Sequence, residues 1–397
     1  MEKKPLSGIR VLDMTQFLSG PFCTLTLADL GAEVIKIERP GLGDPTRTDI
    51  PTKDGTSAMY ISCNRGKKSV ALDLKNPAHK QVYLELVGKC DVVVENFKPG
   101  TMQRLGLAYE TLRAQKPDLI YLAISGYGQT GPYRERGALD IAIQAMSGFM
   151  SITGEKDGLP TKSGASLADV VSGIYGVIGV LSALLWREQT GEGQYVDIAM
   201  LDAVVGSIMQ NSIARYCLSG VVPHPQGNRH PASAPFQEFD TADGSIVVCC
   251  PTNAQFESLM EGLGHREVYE DPLFRDTESR YAHKDELAQV LSPIIRERST
   301  REMAEMMERR KLSFGEINTV DMVVDNEQIR ARDMLVEVED RRAGRFDTIG
   351  FPIKMDCAKP EKSYRAPTLG EDTEDVLRTL LGMEQQDIDA LLAPYRS

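Results

Sequence analysis

Asp169 is the residue whose setting most suggests chemistry. It lies in Gly164-Ala165-Ser166-Leu167-Ala168-Asp169-Val170-Val171-Ser172-Gly173, where a long apolar segment begins. An aspartate at a helix N-terminus commonly acts as a cap, its oxygens taking up free N–H groups and complementing the helix dipole. Those same N–H groups would keep the carboxylate ionised and available as a nucleophile toward an activated acyl group. Gly173 and Gly176, further along the segment, would let a ligand or another helix come close.

Three groups of cations could meet a polyanion. They are Asn64-Arg65-Gly66-Lys67-Lys68-Ser69, then Asn96-Phe97-Lys98-Pro99-Gly100 with Arg104, and Arg39. Charge runs of this kind are often only solvated loops. Here each falls where the chain is expected to leave a strand of a parallel sheet, the edge at which such sheets bind ligands. Guanidinium and ammonium groups gathered there suit a ligand carrying phosphates, and Phe97 could stack on an adenine.

The elements that must position these residues alternate. Short β-type runs at 9–14, 33–38, 91–95 and 118–124 are separated by helix-like segments at 20–31, 76–89 and 109–115. Asn76-Pro77 is a strong helix start, a cap followed by proline at the first helical position. Alternation of this kind predicts a parallel sheet with helices on both faces, an α/β fold. The middle reads as helices over 139–150, 167–189 and 201–218, with a strand at 195–199. A proline-rich connection follows. The expected division is a large domain over 1–219, a linker at 220–235, a small α+β domain at 236–325, and a segment at 326–397 that completes the large domain. In the small domain a strand is expected at 246–250, a helix at 253–264 and charged helix over 285–310, and a last helix near 373–382.

Several chemistries find no support. No GxGxxG follows the first strand, and neither GxxxxGK[ST] nor GxSxG occurs. Of the five histidines only His224 and His230 are close together, without metal-ligand spacing, so no metal is expected. Seven scattered cysteines with no CxxC pair read as reduced thiols and not a disulfide framework. The N-terminus has no apolar signal core, and the apolar segment 170–186 reads as a core helix and not a membrane span, so a cytoplasmic protein is expected. The net charge of −12 argues against a nucleic-acid partner, yet allows a local basic pocket for a small anion.

The motifs taken together resemble the class III CoA-transferases of the CaiB/BaiF type. The matching segments run in order through nearly the whole chain: 5–13, 20–21, 30–40, 69–75, 95–100, 125–132, the Asp169 segment, 191–197 and 227–231. The resemblance implies a Rossmann-like large domain, a smaller second domain and an interlocked, ring-like homodimer. It implies that Asp169 attacks an acyl-CoA thioester to give a mixed anhydride. CoA then returns to form an aspartyl-CoA thioester, from which an acceptor carboxylate takes CoA through a second anhydride. CoA thioesters are thus substrates, with no permanently bound cofactor. Arg39, Leu72, Lys75, Asn96, Phe97 and Arg104 match positions that hold CoA, while Asp140 and Met200 match positions near the reacting centre.

Departures from the family pattern narrow the expectation. The α-methylacyl-CoA racemase branch has a histidine where this chain has Leu139, so racemisation is the alternative activity and lacks its proton-transfer base. Leu18 and Met59 stand where the formyl-CoA:oxalate branch has Gln and Tyr. The nearer likeness is the acetyl-CoA:oxalate type, through Gly227-Asn228-Arg229-His230-Pro231 and Ala234-Pro235-Phe236, which adds His230 to the expected pocket. Met59 suggests an acceptor acid bulkier or more apolar than oxalate.

Overall fold

The computed structural model describes residues 3–358, 361 and 363–395. They form two compact units. One comprises the described residues of Met1–Phe149, Lys162–Val221 and Glu327–Ser397, the other Met150–Thr161 and Val222–Asn326.

The first unit is built on six parallel strands: β1 (Arg10–Asp13), β2 (Glu33–Glu38), β3 (Lys68–Ala71), β4 (Val92–Glu95), β5 (Ile120–Ser125) and β6 (Tyr195–Ala199). Their spatial order is β3-β2-β1-β4-β5-β6, so the direction of winding reverses between β1 and β4. That reversal opens the crevice in which doubly wound sheets hold their ligands. The centre of the sheet is apolar on both faces because helices cover both. Leu12, Ile35, Val93 and Tyr121 pack with Val82, Leu86, Leu377 and Ile388 in one buried cluster. On the opposite face the long helix Leu167–Thr190 lies against β5 and the helix Ser19–Asp29. The contact is close because Gly173 and Gly176 lack side chains: a Cβ at Gly173 would stand 2.8 Å from Ser19 O, and one at Gly176 3.0 Å from Cys23 Sγ. These glycines therefore serve helix packing.

The second unit has a three-stranded antiparallel sheet (Phe236–Asp240, Ser245–Cys249, Ser313–Glu316) over a core that includes Phe256, Leu259, Met303 and Met307. Some expected helices are divided. The span 201–218 is two helices, Met200–Gly206 and Gln210–Ser219, because Ser207 turns out of helical geometry. The span 285–310 breaks before Ser299, whose hydroxyl and Glu302 form a capping box that starts a new helix at Thr300. The span 139–150 ends as α-helix at Met146, and a short 3-10 turn follows at Phe149–Ile152.

The strand β3 was not expected, and its approach explains why. Arg65 and Lys67 sit in the segment read as a cationic ligand loop, yet both are buried: Lys67 pairs with Asp13 at 3.0 Å, and Arg65 with Asp29 at 2.7 Å. Lys68 pairs with Glu33 at 2.9 Å. The segment enters a strand instead of leaving one, and its charges are taken up within the protein.

Asp13 and Lys67 belong to a larger buried set. Lys36 Nζ donates to Thr15 O at 2.6 Å and pairs with Asp44 at 2.9 Å. Asp44 in turn accepts from Thr46 N (2.9 Å) and its own N–H donates to Glu38 (2.9 Å). Glu38 binds Arg47 through two bonds of 2.7 and 2.6 Å. Burial by itself would raise the Asp13 carboxyl, but the ammonium groups of Lys67 and Lys36 and the hydroxyls of Thr15 and Thr24 outweigh it and hold it down at about 2. A group held below its ordinary value of 3.8 stabilises the fold above that value and loses the contribution as pH falls toward 2. Asp13→Ala leaves Lys67 buried without its counter-ion and is expected to cost roughly 3–5 kcal/mol in denaturant unfolding at neutral pH.

Candidate active site

The loops leaving β1, β4, β5 and β6 meet around a pocket of about 590 Å³. Its wall includes Phe17–Ser19 after β1, Asn96–Pro99 after β4, Gly126 after β5, Met200 after β6, and the segments 136–141 and 164–166 with Asp169. Of the candidate residues, Leu18, Met59, Asn96, Phe97, Asp140, Asp169 and Met200 all line it.

Asp169 stands in the first turn of the Leu167–Thr190 helix, but it is not the cap. The Ser166 side chain makes no capping bond either. The free N–H groups are taken by Asp140, at the start of the neighbouring helix Asp140–Met146: its Oδ1 accepts from Ala168 N at 2.7 Å and Asp169 N at 3.4 Å. Among the described residues no hydrogen bond reaches the Asp169 carboxylate. Burial, and then the charge of Asp140, raise its pKa from 3.8 to about 7. The expectation of a carboxylate kept ionised by helix N–H groups is thus corrected: a neighbouring aspartate holds the helix, and the candidate nucleophile is a carboxylate made more basic by burial and by that aspartate.

Asn96 ties the two loops at the reversal point together. Its Oδ1 accepts from Gln16 N at 2.9 Å, and its Nδ2 donates to Gln16 O at 2.7 Å and Ser19 Oγ at 3.2 Å. The turn behind it is fixed by Glu95, whose Oε2 accepts from Phe97 N at 2.7 Å. Burial lifts the Glu95 carboxyl to about 7 against the lowering pull of the Phe97 N–H and the Tyr121 hydroxyl, with Asp197 adding to the rise. Phe97 is half-buried and packs at the edge of the apolar cluster beneath the sheet.

The remaining candidates lie elsewhere. Arg39, Lys75 and Arg104 are exposed and do not line the pocket. Leu72 is a core residue whose N–H donates to Glu38 O, so its side chain has no free face to offer a ligand. His230 belongs to the second unit, its ring stacked on Phe236 with centroids 4.7 Å apart. Leu139, at the position of the racemase histidine, lines the pocket as an exposed apolar side chain.

Some pocket residues were not singled out in the sequence. Arg136 and Lys162 join Lys98 in bringing positive charge to the wall, and Gln144 sits fully buried behind Asp140. The spacing of Asp140 and Gln144, four residues apart on one helix, is a readable pairing signal. The run Gly126-Tyr127-Gly128-Gln129-Thr130-Gly131 has GxGxxG spacing but follows the fifth strand and opens a loop, not a helix.

The pocket at the carboxyl ends of the parallel strands thus holds a carboxylate of raised basicity, Asp169, with Lys98, Arg136 and Lys162 elsewhere on its wall. The sequence pattern of CoA-transferase family III matches residues 6–373, and the chain belongs to that family. It is similar to the succinate–glutarate CoA-transferase of Agrobacterium fabrum, with 38% identity over 96% of this chain and 97% of that protein. It is likewise similar to the acetyl-CoA:oxalate CoA-transferase of Acetobacter aceti, 38% identical over 93% of this chain and 94% of that protein. Among solved structures, a CaiB/BaiF family protein from Brucella suis superposes with a TM-score of 0.87 at 36% identity, covering 96% of this chain and all of that one. The protein is a class III CoA-transferase.

Asn96→Ala removes all three bonds across the reversal point. The expected result in steady-state kinetics is a several-fold rise in KM for the acyl-CoA with a smaller change in kcat, together with a loss of about 1–3 kcal/mol in unfolding free energy.

Proposed function

We propose that this enzyme moves CoA from an acyl-CoA donor to a free dicarboxylic acid, with Asp169 as the covalent relay. The observation that carries the reading is the Asp169 carboxylate on the pocket wall, raised to about 7 with no hydrogen bond reaching it among the described residues. In the first step Asp169 attacks the thioester carbonyl, forms a mixed anhydride and expels CoA thiolate. The thiolate then attacks the aspartyl carbonyl, giving an aspartyl-CoA thioester and releasing the donor acid. The acceptor carboxylate attacks that thioester, and the thiolate released takes the acceptor carbonyl, freeing Asp169.

The raised basicity of Asp169 serves the first half of this sequence in two ways. A more basic carboxylate is a stronger nucleophile toward the thioester. It is also a poorer leaving group than an ordinary carboxylate of pKa about 4, so thiolate attack on the first anhydride expels the donor acid in preference to Asp169, a preference that the closing step, in which Asp169 itself leaves, must overcome. The cost is that only about half of Asp169 is ionised near neutrality.

The two named relatives act on succinate and glutarate or on oxalate, each carrying a second carboxylate. Lys98, Arg136 and Lys162 on the same wall support an acceptor of that class. The exposed cations Arg39, Lys75 and Arg104 remain available for the phosphates of CoA. The Leu167–Thr190 helix leaves Ile174, Ile178, Leu185 and Trp186 uncovered, an apolar face that we assign to a second copy in a homodimer. Seven free cysteines accord with a reducing, cytoplasmic setting.

Asp169→Ala is expected to abolish transfer between an acyl-CoA and a free acid, and retained turnover would refute the relay. In the native enzyme kcat/KM is expected to rise with pH through an apparent pKa of about 7 and to fall about tenfold per unit well below it. Analytical ultracentrifugation is expected to find a dimer at micromolar concentration.

A further inference from the structure

Gln144 is completely buried, one turn after Asp140 on the same helix. Both ends of its amide are engaged. Oε1 accepts from Ser163 N at 2.8 Å, which fixes the amide's orientation, and Nε2 donates to Asp140 Oδ2 at 2.6 Å. Asp140 is left with Oδ1 directed at the N–H groups of Ala168 and Asp169. The links run from the loop backbone at Ser163 through Gln144 to Asp140 and on to the turn that carries Asp169.

We propose that Gln144 is a positioning residue for transfer: through its bond to Asp140 Oδ2 it keeps the Asp140 charge facing the helix turn of Asp169, and so sets the nucleophile's basicity. This rests on the reading of Asp169 as the nucleophile. A buried amide donating to one carboxylate oxygen removes that carboxylate's freedom to turn. Apart from Asp140, the charged groups lining the pocket with Asp169 are Lys98, Arg136 and Lys162. Burial and the charge of Asp140 raise the pKa of Asp169, and Gln144 holds Asp140 in place.

The sign of the effect follows. Without Gln144, Asp140 is free to turn away from the helix turn. Less negative charge then faces Asp169, and its pKa falls.

The test compares kcat/KM against pH for the native enzyme, Gln144→Met, Asp140→Asn and the double variant, with thermal unfolding measured beside it. The acid limb of Gln144→Met is expected to move down by about one pH unit, the limb of Asp140→Asn to move the same way, and the double variant to move no further than Asp140→Asn. Should Gln144→Met fail to fold, Ser163→Pro deletes the N–H that orients the amide without touching the core, and the same downward shift is expected. A limb that stays at its native position while activity or thermal stability falls would overturn the proposal, as would shifts that simply add. Asp169→Ala separates the two readings. If it keeps turnover, the relay itself is wrong; if it is dead while the limb of Gln144→Met is unmoved, only the role of Gln144 is wrong.

Discussion

The buried pairing of Asp13 with Lys67 is the constraint on which the site depends. Asp13 ends β1, and Lys67 leads into β3, two strands away across β2. Lys36, which ends its side chain on Thr15 O and Asp44, links the loop after β1 to the segment after β2. A set of charges this deeply buried is stable only when every member is paired, so it admits essentially one arrangement of these loops. That arrangement delivers Phe17, Leu18 and Ser19 to the pocket wall, where Asn96 joins them to the loop after β4. The cluster's main contribution is specification: an apolar cluster of equal volume could stabilise the sheet without fixing where those loops begin.

The site uses charge in the opposite way. At Asp13 two cations quiet a carboxylate; at Asp169 burial and a like charge make one more basic. The two aspartates share a residue type and a location at the ligand end of the sheet, and differ in their neighbours. Asp140 allows the contrast, since it satisfies the helix N-terminus that Asp169 would otherwise have capped. A capped nucleophile would be a weak one.

The sheet was largely legible in the sequence because its strands are short apolar runs between well-punctuated helices. Asn76-Pro77 behaves as read, with Asn76 Oδ1 accepting from Ala78 N at 2.9 Å. β3 was hidden because its entrance carries Arg65, Lys67 and Lys68, and no local signal tells a paired, buried cation from a solvated one. The break at Ser207 was hidden for a similar reason, since both halves of 201–218 carry helical residues. The position of Asp169 was legible, but its environment was not. Which aspartate caps the helix depends on a contact between residues 140 and 168, and nothing in the local pattern around Asp169 encodes it. Leu72, whose family position suggested a ligand contact, follows β3 and has its side chain in the buried apolar cluster.

The relay through Asp169 predicts a specific path for oxygen. Each acceptor carboxylate contributes the bridging oxygen of the second anhydride, and that oxygen stays on Asp169 when the thiolate takes the acceptor carbonyl. Trypsin cleaves after Lys162 and Arg187, and the peptide between them holds Asp169 as its only acidic side chain. After turnover with an acceptor acid labelled in its carboxylates with heavy oxygen, mass spectrometry of that peptide should show heavy oxygen on Asp169, and the released donor acid should acquire it in later turnovers. Full turnover with an unlabelled peptide and an unlabelled donor acid would contradict the account.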